Sequence, residues 1–264
     1  MCGIAGYSLS KASSVERTLA AQALLAGIAE RGADATGYAF RGLGSQVSVV
    51  KQRTGASKLL ESVRIPAAAT DVLVHVRDYT KGHPTIAANN HPVRHGSVVG
   101  IHNGIIENDD DLFASHGWER AHPEMTVDSE AIFALAEQHR SDPTALEQLA
   151  GAIATAWMDE RDEGVVHVAR GVGRPLWIGR GHREVFFAST RDALEVVERT
   201  LRTNLRKQEV GEGRVLRLVD GRVDHQARFK PDRSYREQNV LPAVRAPHEG
   251  ANCLARLAAL AAVA

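Results

Sequence analysis

The chain has 264 residues, 44% apolar and 24% charged, enough for a buried core in one large domain or two small ones. Lys and Arg number 32, as do Asp and Glu, and a net charge of zero argues against a polyanionic partner such as nucleic acid. Only Cys2 and Cys253 are cysteines, too few for a disulfide framework, so a reducing, cytoplasmic setting is expected. Residues 1–30 lack the charged start and long apolar run of a secretory signal. The apolar stretch 254–264 contains Arg256 and is shorter than the roughly 20 residues a bilayer requires, so no membrane partner is expected.

Residues 3–9 are small and apolar and suit a buried strand starting at the terminus itself. Ser13 and Glu16 have capping-box spacing, and Val15, Leu19, Ala23 and Ala26 follow at helical intervals until Gly32. Strands are expected at 37–41 and 46–52, then at 71–76 before Arg77, then at 97–101, ending at His102-Asn103-Gly104. A polar, turn-rich loop fills 78–92. Asp128 opens a helix carrying Ile132, Leu135 and Ala136 on one side, and Asp142-Pro143 caps another running to about residue 150. Four strands follow (151–158, 164–170, 174–179, 184–188), then an amphipathic helix at 190–201. Strands 213–219 and 222–226 meet at Asp220-Gly221, a hairpin signal. Residues 229–250 read as irregular, and 254–264 as a C-terminal helix or frayed tail. Strands in hairpin-like succession with helices between them indicate an α+β fold of stacked sheets with helices outside.

Position 2 carries chemistry because of position 1. Initiator Met is trimmed before small residues, and trimming leaves Cys2 with both a thiol and a free α-amine. The amine titrates near 7.7–8.0, roughly, and the thiol near 8.5, so one residue can supply nucleophile and base. His102-Asn103-Gly104 offers an amide side chain and a backbone N–H that could face a developing oxyanion. Arg77 could grip a carboxylate with Thr80 adding a donor, and Asp128 could hold an ammonium group. Singly, each has a plainer reading: Asn-Gly as a turn, Arg77 in a surface salt bridge, Asp128 as a helix N-cap.

Taken together, several stretches in order resemble the glutaminase domain of class II glutamine amidotransferases, the branch that includes glucosamine-6-phosphate synthase and amidophosphoribosyltransferase. They are Met1-Cys2-Gly3-Ile4-Ala5-Gly6, Arg31-Gly32-x-Asp34-x-x-Gly37, His75-Val76-Arg77-x-x-Thr80-x-Gly82, Asn89-x-His91-Pro92, His102-Asn103-Gly104-Ile105-Ile106-Glu107-Asn108 and Thr126-x-Asp128-Ser129-Glu130. The resemblance covers residues 2–227 and implies the four-layer αββα fold of the N-terminal-nucleophile hydrolases. It also implies Cys2 as nucleophile, its α-amine as proton carrier, and an oxyanion hole from the Asn103 side chain and Gly104 backbone. Arg77 and Thr80 would bind the glutamine α-carboxylate and Asp128 its α-amine, with Arg31 in support. Residues 228–264 form an extension of unassigned role.

The chain departs from this resemblance in one loop. Synthase-type members carry Trp and His where Asp78 and Lys81 stand, and Tyr79 is bulkier than usual. The leading expectation is a glutaminase that forms a Cys2 thioester and passes ammonia to a separate synthase. The alternatives are a stand-alone hydrolase of γ-glutamyl amides and a catalytically silent, glutaminase-like binding subunit. The histidines at 83, 91, 95, 102, 116 and 122 match no zinc spacing, so neither metal nor cofactor is expected. Cys253 reads as an inert buried thiol.

Overall fold

A computed structural model describes residues 1–264 apart from 43, 141, 237–241, 263 and 264. In chain order the elements are β1 (Gly3–Leu9), α1 (Arg17–Ile28), β2 (Ala35–Arg41), β3 (Val47–Gln52), α2 (Ala56–Leu59), β4 (Asp71–Arg77), β5 (Val93–His95), β6 (Val98–Ile106), α3 (Asp109–His116) and α4 (Glu130–His139). Then come β7 (Gly151–Asp159), β8 (Val165–Arg170), β9 (Trp177–Arg180), β10 (Glu184–Ala188), α5 (Arg191–Leu201), β11 (Arg206–Glu209), β12 (Arg214–Val219), β13 (Arg222–Arg228) and α6 (Pro247–Ala261).

The strands form two antiparallel sheets, β11-β9-β10-β1-β4-β2-β3 and β13-β12-β8-β7-β6-β5. Side chains alternate across a strand, and here both faces are covered, so odd and even residues enter different cores. In β1 and β4, Ala5, Tyr7, Val72, Val74 and Val76 pack beneath α1 and α5. Ile4 and Leu73 of the same strands face the other sheet, meeting Val99 and Ile101 of β6 and Ala154 and Ala156 of β7. The outer face of the second sheet, through Val98, Ile153 and Trp157, packs against Ile132 and Phe133 of α4. The layers therefore run helix, sheet, sheet, helix, as the sequence resemblance implied. Phe133 is fully buried, and its truncation to Ala would cost about 3–5 kcal/mol by the usual cavity cost.

Several local expectations need correction. Ser13 does not cap α1; its hydroxyl donates to Glu184 at 2.7 Å, and Glu16 is the N-cap, accepting from Thr18 N–H at 3.0 Å and from Leu19 N–H. The strand expected to stop at 101 continues through His102-Asn103-Gly104 to Ile106, because β7 pairs with it residue for residue from Asp159 to Gly151. Ladder pairing over nine residues outweighs the turn preference of Asn-Gly. Ser129 rather than Asp128 is the N-cap of α4, because the Asp128 carboxylate is committed to backbone donors outside the helix.

Asp142 caps through Thr144 N–H at 2.9 Å, as its sequence context indicates, but it opens a 3-10 segment, Pro143–Gln148, in place of an α-helix. Asp220 and Gly221, with φ of 47° and 71°, make the hairpin turn between β12 and β13. The short elements α2, α3, β5 and β11 add to those expected from the sequence. Residues 237–241 of the expected irregular stretch lie outside the described residues. Beyond them α6 buries Cys253 and Leu257 in the core that α1 also lines. Among the described residues no helix is long and apolar enough to cross a membrane.

Candidate active site

The alternation that builds the inter-sheet core also aims the site. Arg77 ends β4 on the same face as His75 and Leu73, and Gly3 pairs with Val76, so Cys2 enters beside Arg77. Asn103 shares the inward face of β6 with Ile101, opposite them. Cys2, Arg77, Thr80, Gly104 and Asp128 line one small cavity, and Cys2, Thr80, Asn103 and Gly104 line an adjoining one. The residues singled out in the sequence are thus brought together, Arg31 from just outside.

The Cys2 thiol donates to the Asp78 carbonyl at 3.4 Å, and the Arg31 Nε donates to the Cys2 carbonyl at 2.9 Å. Burial pushes the thiol up from its ordinary range, opposed in part by the charge of Arg77. With Met1 retained, the chain terminus is the Met1 ammonium, which ion-pairs with Asp78.

Asn103 is 1% exposed, and among the described residues neither its side-chain oxygen nor its nitrogen meets a hydrogen-bonding partner. Buried amides are ordinarily satisfied, so this one is costly to keep. Gly104 has φ of +156°, and a Cβ there would collide with the Ala152 carbonyl oxygen, so only glycine fits.

Arg77 is 2% exposed. Its Nη1 donates to Asn90 Oδ1 at 2.6 Å and its Nη2 to the carbonyls of Lys81, at 2.9 Å, and Gly82. It therefore folds the 78–82 loop around itself. Asp128 accepts from Ile106 N–H at 2.7 Å and Ser129 N–H at 2.9 Å, and burial pushes its carboxyl up to about 6. Among the described residues neither Arg77 nor Asp128 forms an ion pair. Arg77 and Asp128 are thus a buried cation and a buried anion on the same cavity, each without a counter-ion of its own among those residues.

Several neighbours of the site escape a reading of the sequence. His91 lines the cavity, and its ring stacks on His75 with centroids 4.2 Å apart. His102 bridges Ser129 Oγ at 2.9 Å and the Ala152 carbonyl at 3.1 Å. Burial lowers His75 to about 3 and His102 to about 4, and holds His91 well below its ordinary value. All three stand in the motifs that carry the resemblance, and that placement is the signal that could have found them. Lys81, one of the departures, is clasped to Asp109 at 2.7 Å and Asp110 at 2.8 Å. Among the described residues no group of three or more His, Cys, Asp and Glu could hold a metal.

Cys2, the residue just before β1, shares a cavity with the Asn103 amide of the facing sheet, partnerless among the described residues, and the layers run helix, sheet, sheet, helix; together they define the class, an N-terminal-nucleophile fold of the glutamine amidotransferase kind. Residues 80–196 match the family model described as a glutamine amidotransferase domain. The chain is similar to glutamine–fructose-6-phosphate aminotransferase (isomerizing) of Vibrio parahaemolyticus, 31% identical over 214 residues, 75% of this chain and 33% of that protein. The Rhizobium meliloti protein of the same name is 34% identical over 207 residues, 74% and 32% of the two chains. The chain thus spans about a third of the length of these curated relatives. The structure of glutamine phosphoribosylpyrophosphate amidotransferase from B. subtilis shares the fold, with a TM-score of 0.67 at 20% identity, over 86% of this chain and 49% of that one. The chain carries a class II, N-terminal-nucleophile glutamine amidotransferase domain, resembling the glutaminase domain of glucosamine-6-phosphate synthase.

Proposed function

We propose that this chain hydrolyses the side-chain amide of glutamine to glutamate and ammonia through a Cys2 thioester. One observation carries the reading: among the described residues, buried Arg77 and buried Asp128 flank the Cys2 cavity without counter-ions. Uncompensated buried charges are costly, and an α-amino acid zwitterion supplies the missing partner of each. Its carboxylate pairs with Arg77, with Thr80 as a further donor, and its ammonium with Asp128.

After Met1 is removed, the Cys2 α-amine takes the thiol proton as sulfur attacks the amide carbon. The tetrahedral oxyanion is met by Asn103 Nδ2 and the Gly104 N–H. The amine returns the proton to the departing ammonia and then activates the water that cleaves the thioester. Ammonia passes to an acceptor site supplied by a synthase, in a separate polypeptide or in further sequence of this one. The cysteine-poor composition supports a cytoplasmic setting.

Intact-mass spectrometry before and after a diazoketone analogue of glutamine tests the reading. Loss of Met1 and one adduct on Cys2, absent in Cys2→Ala, is the expected result. A trimmed chain that neither takes the adduct nor turns over glutamine would overturn it.

A further inference from the structure

The C-terminal segment reaches the nucleophile. Arg245 N–H and Ala246 N–H both donate to the Glu30 carbonyl at 2.8 Å, one residue before the arginine whose Nε holds the Cys2 carbonyl. Glu249 of α6 accepts from Ser57 N–H at 2.8 Å and from Ser57 Oγ at 3.0 Å. Together with buried Cys253 and Leu257, these contacts fix the start of α6 against α2 and the turn that follows α1. From that anchor the Arg245 side chain extends to Asp78, with Nε 3.2 Å from Oδ2. Asp78 is the residue whose carbonyl accepts from the Cys2 thiol and whose carboxylate, while Met1 is retained, pairs with the Met1 ammonium.

We infer that Arg245 is a positioning residue for the nucleophile, acting through Asp78: it holds and neutralises the carboxylate of the residue that lines one cavity with Cys2. The inference rests on Cys2 being the reactive group of the proposed function, and it gives residues 245–257 a role in the site itself. The physical reason is charge. An unneutralised carboxylate beside Cys2 disfavours the thiolate and favours a protonated α-amine, both wrong for attack. Arg245 on the far side of that carboxylate offsets its field, and its anchored backbone fixes where the carboxylate points.

The remaining charged groups around Cys2 come from other elements and stay constant in the test. Arg77 ends β4, Arg31 follows α1, Asp34 accepts from Tyr79 N–H at 2.9 Å, Tyr79 and Lys81 line the Cys2 cavity with Lys81 paired to Asp109, Asp128 precedes α4, and Arg174 lines the adjoining cavity. The neutral histidines 91 and 102 also line the Cys2 cavity.

The test is the rate of Cys2 alkylation by iodoacetamide in the Met1-processed protein, followed by mass spectrometry across pH. It needs no glutamine, so it stays readable even if the chain proves not to hydrolyse glutamine. Arg245→Ala is expected to slow alkylation at pH 7 by roughly threefold to tenfold and move the profile to higher pH, the scale of a nearby charge partly screened by solvent. Arg245→Lys should recover most of the rate. In an Asp78→Asn background Arg245→Ala should change nothing. Arg256→Ala, which removes an exposed α6 ion pair to Glu61, should leave the profile in place. The same slowing in both backgrounds, or equal slowing by Arg256→Ala, would show that Arg245 only staples the tail and would overturn the inference. Arg245 is 38% exposed and its backbone bonds survive any of these replacements, so the variants should fold.

Discussion

The Asp128 carboxylate accepts a hydrogen bond from Ile106 N–H at 2.7 Å, tying the approach to α4 onto the last residue of β6. Two opposed demands meet in that carboxylate. Burial pushes it up from 3.8 to about 6, so its ionised form opposes folding. The sign is that of a raised acid: stability is greatest while the group is protonated, and is lost as pH rises from the unfolded value through 6. A shift of this size corresponds to a loss on the order of 3 kcal/mol by pH 7.

Asp128→Asn keeps an acceptor for Ile106 and removes the charge. Its melting temperature at pH 7.5 should equal or exceed that of the parent. Its KM for glutamine should rise about tenfold to a hundredfold, the usual worth of a hydrogen bond to a charged group. Thermal melts beside glutaminase kinetics check both halves. A variant that is unstable yet binds glutamine normally would assign Asp128 a purely structural role.

Asn103 is expected to separate stability from activity in the same way. Its buried amide is unsatisfied, so Asn103→Ala should not lower the melting temperature and could raise it. The rate constant kcat should fall by about 10²–10³, the effect of losing one oxyanion donor. Gly104→Ala should behave oppositely. Its Cβ would strike the Ala152 carbonyl and strain a positive φ, so loss of the folded state, at about 3 kcal/mol or more, should dominate.

Lys81 bridges the loop over Cys2 to the first turn of α3 through Asp109 and Asp110. Because Lys81 is 39% exposed, the clasp is worth only about 0.5–1 kcal/mol, and salt should weaken it. Lys81→Ala should raise KM severalfold with little change in kcat. In the parent KM should rise between low and moderate ionic strength, and most of that rise should be absent in Lys81→Ala.

The buried histidines predict acid sensitivity. His75, His91, His102 and His167 are all held below their ordinary value by burial, two of them to about 4 and His75 to about 3. The folded state refuses protons that the unfolded chain accepts below about 6.5, so stability is full above that pH and lost as pH falls. Each contributes a slope of about 1.4 kcal/mol per pH unit, against which Asp128 supplies one opposing proton. Melting temperature should therefore drop steeply between pH 6 and 5. His167→Gln, away from the site and stacked on Trp157, should make the drop shallower by one proton's worth. A flat profile in that interval would contradict the buried, neutral assignment.

The local code is legible where one residue decides the outcome. Short apolar runs mark most of the strands, Asp220-Gly221 specifies a turn with positive φ, and Met1-Cys2 with His102-Asn103-Gly104 and Arg77 marks the chemistry. Where long-range pairing decides, local preference is overruled. Ser13 leaves its helix for Glu184, 171 residues away, and Asn103-Gly104 joins a ladder instead of turning.

By itself the sequence determined the residue types: a thiol at position 2, an amide, a cation and an anion, in or beside strands whose alternation sends Arg77 and Asn103 each to one face. Only the tertiary structure decided that these faces meet. The reason is that the burial of Arg77, Asp128 and Asn103, and among the described residues the absence of counter-ions at the first two and of hydrogen-bond partners at the third, belong to the packed arrangement of two sheets and not to any segment. The approach of Arg245 to Asp78 was equally invisible, since 167 positions separate them and only the docking of α6 on the α1 layer brings them together.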